Sequence, residues 1–354
     1  MMTPAGLPDD PRAAILGAGS WGTALAISLA RQGREVTLWV RRPEAAVSMD
    51  RERRNWHYLP KAVLPDSIRI ISDLEEAVAG ATVWVFATPS QSIRTLASRL
   101  EPHVHGGVVA VSVAKGIENG TLLTTSQVLR ACLPSVRPDH VGVLYGPSHA
   151  EEVGQDLATT VVAAFERLDV AEYVQELFMS PTLRVYVNTD LIGVEVGGSV
   201  KNVMAIAAGM SDGIGAGDNL KAALITRGLA EMSRLGRAMG ARPETFAGLA
   251  GLGDLVVTCT STHSRNRHLG EQLGRGRTMD EVAAEMTMVA EGVRTTQSVY
   301  ELAKRLDVEM PITEAVHSIL FEGKAPREAL HELMTRTAKH EDFTAPIFQQ
   351  EASE

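Results

Sequence analysis

The most unusual lysine in the sequence is Lys201, which lies within the long apolar stretch 194–207. If this stretch forms a helix, nearly every face of it is apolar, and Lys201 is partly removed from water. Loss of hydration lowers the pKa of a lysine, which makes it an acid or base that works near neutral pH. The alternative is a structural lysine whose amine extends from a buried helix to solvent. The spacing alone leaves both interpretations open.

A second candidate is Asp254, which follows the glycine-rich turn Gly251-Leu252-Gly253 and precedes the apolar residues 255–257. A carboxylate at this position could pair with a catalytic lysine and orient it. The alternative is an aspartate that caps a helix or closes a turn, a frequent role for this residue type. Both interpretations stay open at the level of sequence.

Three consecutive polar residues, Ser264, Arg265 and Asn266, form a cluster suited to a phosphate group. A guanidinium binds phosphate oxygens in bidentate fashion, and hydroxyl and amide groups add further donors. The alternative is an ordinary solvated loop. Lys115, next to Gly116 at the end of a predicted strand, is a further cation placed where ligands bind.

The glycines Gly17, Gly19 and Gly22 follow the apolar run Ala13-Ala14-Ile15-Leu16 and precede a helical stretch. This spacing is typical of a dinucleotide-binding turn, in which the first glycine turns the chain sharply and the second lets the backbone approach a pyrophosphate. The third glycine lets the helix pack closely on the strand. We therefore predict a nicotinamide dinucleotide site and hydride transfer near it.

The predicted second strand ends in Arg41 and Arg42 instead of the Asp or Glu that holds the ribose of NAD. Guanidinium groups at this position can bind a 2′-phosphate. The sequence therefore favours NADP(H), with NAD(H) as the alternative cofactor. Two ordinary solvated arginines would give the same pattern.

The elements that must position these residues change character along the chain. Eight strand-like runs alternate with helical stretches such as 91–100 and 121–132 up to about residue 189, which predicts an α/β region with a Rossmann-like, doubly wound, mostly parallel sheet at 12–189. The predicted strands are 12–16, 35–40, 68–71, 82–87, 108–113, 141–145, 158–165 and 182–187. An all-helical substrate-binding and catalytic domain is predicted at 190–338, and a polar tail without order at 339–354. The predicted helices of the all-helical domain are 190–210, 219–240, 243–250, 266–275, 279–286, 291–307, 312–322 and 326–335. Three predicted strands end at 88–90, 114–116 and 146–150, so that these loops and the glycine turn form one rim.

Composition excludes several classes of function. The chain has 354 residues, a formal net charge of −9 and only two cysteines, which argues against nucleic acid or an anionic membrane as a partner and favours the reducing cytoplasm. The N-terminus lacks the features of a signal peptide, and we predict no membrane insertion. The ten histidines show no metal-ligand spacing, so no metal is expected.

Taken together, these motifs identify a resemblance that runs from about residue 12 to 338. The chain closely resembles the bacterial NAD(P)-dependent glycerol-3-phosphate dehydrogenases. The matching motifs are residues 17–26, 114–116, 146–148, 200–202, 209–213, 251–255 and 264–266. Trp21 stands where the family often has another aromatic residue.

The resemblance implies reversible reduction of dihydroxyacetone phosphate to sn-glycerol 3-phosphate, which supplies glycerophospholipid synthesis. It implies that Lys201 is the proton acceptor. On physical grounds, Asp254 would hold the Lys201 amine in place. Around the substrate the resemblance implies Lys115, Gly146, Ser148, Lys201, Asp254, Ser264, Arg265 and Asn266. Around NADPH it implies Ser20, Trp21, Arg41, Arg42, Lys115, Ala150, Arg265, Val289 and Glu291.

Two other functions remain open at this level. A related NADP-dependent hydroxyacid dehydrogenase would also use Arg265, to bind a carboxylate. A non-catalytic NADP(H) sensor would bind the cofactor without turnover, although it would need neither Lys201 nor a phosphate cluster. A homodimer through the helical domain is a further expectation.

Overall fold

The computed structural model describes residues 6–285 and 290–338. Its largest sheet has eight strands, which correspond to the eight predicted ones, in the order β10-β9-β8-β7-β6-β1-β2-β5. The ten strands are β1 Ala13–Leu16, β2 Val36–Trp39, β3 Arg54–Asn55, β4 Leu59–Val63, β5 Arg69–Ile71, β6 Val83–Phe86, β7 Val109–Ser112, β8 Val141–Tyr145, β9 Thr159–Ala164 and β10 Leu183–Asn188. Within the eight-stranded sheet, neighbouring strands are parallel except for β8 and β9, so the mostly parallel α/β fold is confirmed.

The central strands are continuously apolar because both faces of the sheet are covered. Every residue of β1, β6 and β7 is buried, as helices pack on each face. The order of strands reverses between β1 and β6, and the carboxyl ends of these two strands lie side by side. A crevice at such a reversal is where open α/β sheets bind ligands.

The helices that cover the sheet are short and follow the strands in alternation. The first seven are α1 Ser20–Arg31, α2 Pro43–Glu52, α3 Leu74–Val78, α4 Ile93–Leu100, α5 Thr125–Cys132, α6 Ala150–Val153 and α7 Leu168–Phe178. The sequence places a helix at 121–132, but the structure begins it at Thr125, because Thr124 and Gln127 form a capping box there.

The sequence interpretation missed one hairpin, formed by β3 and β4. These strands are short and irregular, and they lack the alternation of apolar and polar residues that predicts a strand. The hairpin lies against the glycine turn, where Asn55 donates from Nδ2 to the Ala18 carbonyl at 2.9 Å. The Ser20 hydroxyl in turn donates to the Tyr58 carbonyl at 2.7 Å.

After β10 the described chain is helical. The nine helices of this region are α8 Leu191–Gly213, α9 Asp218–Ala238, α10 Pro243–Phe246, α11 Asp254–Thr260, α12 Arg265–Gly274, α13 Met279–Glu285, α14 Glu291–Arg305, α15 Pro311–Phe321 and α16 Pro326–Met334. The helix expected at 243–250 ends at Phe246 and is followed by a π-helical turn, Leu249–Gly253. Helix α11 was not expected, since seven residues carry too little periodicity to reveal it.

Helix α8 is the core of this helical region and carries Lys201. It is long and apolar enough to cross a membrane, but 94% of its most apolar 18-residue segment is buried inside the protein. Glycines allow its close packing: a Cβ on Gly209 would lie 1.9 Å from the Arg267 carbonyl oxygen of α12. The helix is therefore fixed rigidly in the protein interior.

Candidate active site

The glycine turn between β1 and α1 has the geometry that a pyrophosphate requires. Gly17 has a φ of 127°, and a Cβ on Gly22 would lie 2.0 Å from the Gly17 carbonyl oxygen, so both positions require glycine. A Cβ on Gly19 would meet nothing within 4 Å, which leaves space beside the turn. The N-cap residue of α1 is Gly19, which makes no side-chain cap, and the N-terminus of a helix favours an anion. These residues fit a dinucleotide.

Further residues predicted to contact the cofactor lie in other elements of the α/β region. Arg41 and Arg42 are exposed just after β2, the strand that pairs with β1 beside the glycine turn. Ala150 is buried at the start of α6. Val289, also a predicted cofactor contact, lies outside the described residues, as does the predicted tail 339–354.

The structure brings two lysines from different halves of the chain onto one carboxylate. Lys201 donates from Nζ to Asp254 Oδ1 at 2.5 Å, and Lys115 donates from Nζ to Asp254 Oδ2 at 2.7 Å. The side chain of Lys201 is only 7% exposed and that of Asp254 only 1%. The amine of Lys201 therefore does not extend to solvent. It also donates to the Thr258 hydroxyl at 2.7 Å.

Burial changes the acidity of this lysine. It lowers the pKa of Lys201 from 10.5 to about 8, an effect that Asp254 opposes and the nearby Lys115 amine reinforces. An amine with this pKa exchanges its proton readily near neutral pH. The pair of cations on one carboxylate also leaves a net positive charge, which favours an anionic ligand.

The loop after β8 supplies the next wall of the site. Gly146 has a φ of 145°, a conformation that favours glycine. Its carbonyl oxygen accepts hydrogen bonds from Lys115 Nζ at 2.9 Å and from the Ser148 hydroxyl at 3.0 Å. The loop therefore fixes the Lys115 amine beside Asp254.

The polar cluster at 264–266 forms the start of α12. Ser264 caps this helix by accepting from the Arg267 N–H at 3.2 Å, and Asn266 accepts from the Gly292 N–H at 3.0 Å. Arg265 is the first residue of the helix. A helix N-terminus beside a guanidinium is a suitable site for a phosphate.

These groups meet around one small cavity of about 180 Å³. This volume is below the roughly 300 to 1,000 Å³ of sites for drug-sized ligands, so the cavity suits a molecule of few heavy atoms. Of the predicted residues, its lining includes Trp21, Lys115, Ser148, Lys201, Asp254, Ser264, Arg265, Asn266 and Glu291. Glu291 accepts from the Ser90 N–H at 3.1 Å, and burial raises its pKa.

Sequence reasoning missed several residues of the cavity wall. Thr258 lies four residues after Asp254, so recognition of α11 would have placed both on one face. Asn202, His149 and His263 also line the cavity. Burial lowers the pKa of His149, whose Nε2 is buried and has no hydrogen-bond partner. Within the described ranges, no group of three or more His, Cys, Asp or Glu side chains could hold a metal ion.

Comparisons with known proteins agree with this geometry. Residues 12–171 match the family described as NAD-dependent glycerol-3-phosphate dehydrogenase N-terminus, and residues 190–331 match its C-terminus. A glycerol-3-phosphate dehydrogenase (NAD(P)+) of Salinibacter ruber is 58% identical over 336 residues, which cover 95% of this chain and 98% of the relative. A protein of the same name from Chlorobium phaeobacteroides is 56% identical over 92% of this chain and 98% of its own length.

Among solved structures, that of glycerol-3-phosphate dehydrogenase from Coxiella burnetii is similar, with a TM-score of 0.89 and 40% identity. The match covers 93% of this chain and all of that one. Both halves of the present chain therefore have counterparts in these proteins, in the same order along the sequence.

Proposed function

Because the chain belongs to the NAD-dependent glycerol-3-phosphate dehydrogenase family, we propose that it interconverts dihydroxyacetone phosphate and sn-glycerol 3-phosphate with a nicotinamide dinucleotide. The observation that carries this proposal is the buried amine of Lys201, paired with Asp254 in a small cationic cavity. The cavity lies where the carboxyl ends of the strands meet the helical region. Such an arrangement suits reduction of a small phosphorylated ketone.

The residues of this chain would have separate roles in substrate binding and in proton transfer. Arg265, Ser264 and Asn266 bind the phosphate at the start of α12, and Lys115 adds positive charge nearby. When bound, the reduced nicotinamide supplies a hydride to the carbonyl carbon C2. As the C2 oxygen gains negative charge, Lys201 donates a proton from Nζ to it. In the reverse direction the neutral amine takes the hydroxyl proton as the hydride leaves C2.

Asp254 serves both lysines in this scheme. Its two oxygens hold the two amines at 2.5 and 2.7 Å, which keeps them oriented when the substrate is absent. Such orientation before the reaction lowers the reorganisation that the transition state requires. The cationic pocket also explains how an acidic protein, with a net charge of −9, binds an anionic substrate.

We further propose that NADP(H) is preferred over NAD(H), since exposed Arg41 and Arg42 follow the strand beside the glycine turn.

Residues 12–189 would form the cofactor domain and 190–338 the substrate-binding and catalytic domain. The two cysteines are free and buried, which supports a cytoplasmic location, and the sn-glycerol 3-phosphate formed would supply glycerophospholipid synthesis. A homodimer through the helical domain stays a prediction that sedimentation velocity tests.

Initial-rate kinetics test the proposed function directly. Purified protein is mixed with NADPH or NADH and with dihydroxyacetone phosphate, and cofactor absorbance is followed. We expect oxidation that depends on dihydroxyacetone phosphate and exceeds the rate with 3-hydroxyacid-derived ketones. Faster turnover of a keto acid would favour the hydroxyacid dehydrogenase, whereas cofactor binding without any turnover would favour a sensor. Either result would overturn the proposal.

A further inference from the structure

A second buried carboxylate on α8, that of Glu195, contacts the N-terminus of α5 across the junction between the sheet and the helical region. Glu195 is 1% exposed. Its Oε1 accepts from the Ser126 N–H at 2.8 Å and the Thr125 hydroxyl at 3.0 Å. Its Oε2 accepts from the hydroxyls of Ser126 at 2.6 Å and Thr124 at 2.8 Å. The carboxylate therefore ties α8 firmly to α5.

The contact continues from Thr125 toward Lys115. The Thr125 hydroxyl, whose proton goes to Glu195, lies 3.0 Å from the Tyr145 hydroxyl, whose proton goes to the carbonyl of Ala114, so the two side chains are in direct packing contact. Ala114 directly precedes Lys115, and Tyr145 directly precedes Gly146, whose carbonyl accepts from the Lys115 amine. Both chain segments that place this amine are thus linked to Glu195.

Helix α8 also packs directly on Tyr145. A Cβ on Gly198 would lie 2.6 Å from Cδ2 of the Tyr145 ring, so only glycine allows this approach. Gly198 is three residues after Glu195, and these two positions share a face of the helix. Lys201 follows three residues later. The position of α8 relative to Tyr145 therefore determines where the Lys201 amine lies.

We propose that Glu195 is a positioning residue for the reaction: through Thr125 and Tyr145 it fixes the segments that hold Lys115, and through α8 it fixes Lys201. The two amines then meet on Asp254 with the short contacts observed. This inference rests on the proposed function, since it concerns the same two lysines. Glu195 itself does not line the cavity, so it acts only through other residues.

The chain contains a matched control for this role. Glu231 on α9 is also 1% exposed and also caps a helix, because it accepts from the N–H groups of Ile312 and Thr313 at 2.6 and 3.1 Å. These two residues lie in the first turn of α15, and Glu231 has no contact with the Lys115 segments among the described hydrogen bonds. The two glutamates thus share burial and a capping role but differ in their link to the site.

The test compares Glu195→Gln with Glu231→Gln, and adds Thr125→Val, an isosteric change that removes the hydroxyl which donates to Glu195 and contacts Tyr145. For each protein, kcat, the KM for NADPH and the Tm are measured with dihydroxyacetone phosphate. Since a misplacement of about 1 Å can cost a hundredfold in rate, we expect kcat to fall roughly 10-fold or more in Glu195→Gln and in Thr125→Val. The KM for NADPH should stay within about twofold.

In Glu231→Gln, kcat should stay close to that of the wild type, whatever the change in Tm. Equal losses of kcat in both glutamate variants would indicate a merely structural role and overturn the inference, as would an unchanged kcat in both Glu195→Gln and Thr125→Val. The wild-type measurement separates this inference from the proposed function. If the wild type does not reduce dihydroxyacetone phosphate, the proposed function itself has failed.

Discussion

Replacement of Lys201 by methionine or by arginine distinguishes two contributions of this residue to the rate, which are the proton that it donates and the positive charge that it carries. Methionine keeps the length of the side chain and removes both. Arginine keeps a positive charge beside Asp254, but a guanidinium does not release its proton in proteins. Because Lys115 remains 2.7 Å from Asp254, the buried carboxylate retains one cation in either variant, and we expect both proteins to fold.

The size of the effect follows from the role. A positioned general acid contributes about 10²- to 10⁴-fold to the rate, which corresponds to roughly 3 to 5 kcal/mol of transition-state stabilisation. We expect Lys201→Met to lose turnover in this range with little change in NADPH affinity. Lys201→Arg should keep the electrostatic stabilisation of the negative charge on the C2 oxygen, so its turnover should fall less than that of Lys201→Met. It still loses turnover, because it too lacks a general acid.

The dependence of the rate on pH tests whether Lys201 donates a proton during reduction and accepts one during oxidation. Burial lowers the pKa of Lys201 to about 8, and reduction uses the protonated amine. The rate of reduction should therefore fall as pH rises through about 8, whereas the rate of alcohol oxidation should rise over the same range. Stopped-flow or steady-state NADPH absorbance in both directions measures this. Near-normal turnover in Lys201→Met, or an unchanged alkaline limb in that variant, would refute the reasoning.

Three further predictions concern the cofactor site and the helical region. Arg41→Glu should weaken NADPH much more than NADH, because a carboxylate repels the 2′-phosphate; equal losses in a fluorescence titration would contradict that role. Gly22→Ala should lower both the Tm and the cofactor affinity, since its Cβ would lie 2.0 Å from a backbone oxygen. In Gly19→Ala the new Cβ meets nothing within 4 Å, so the Tm should stay unchanged and only the cofactor affinity should fall. A lower Tm for Gly19→Ala would contradict this interpretation of the turn. Burial raises the pKa of Glu231 from 4.5 to about 7. Its protonated form therefore contributes roughly 3 kcal/mol of stability below its unfolded pKa, which is lost as pH rises through about 7. Glu231→Gln should therefore show a weaker dependence of Tm on pH in the range up to about 7 than the wild type. The same dependence in the wild type and in Glu231→Gln would contradict this prediction.

Much of the fold could be predicted from local patterns. All eight strands of the main sheet were expected, because strands covered on both faces must be continuously apolar, as β6 and β7 are. The glycine turn was also readable, since its three glycines act on neighbouring backbone within one β-turn-α unit. The hairpin of β3 and β4 and the seven residues of α11 were not, because neither is long or regular enough to show a period.

The sequence by itself determined the residue types available for catalysis and the fold class that carries them. It left Lys201 undecided between an acid and a lysine that reaches solvent, and Asp254 between a partner and a helix cap. Only the tertiary structure decided which groups meet, since Lys115 lies 139 residues and Lys201 lies 53 residues from Asp254 along the chain. The physical reason is that hydration and Coulomb energies depend on burial and on distance through space. Neither quantity is a local property of the sequence.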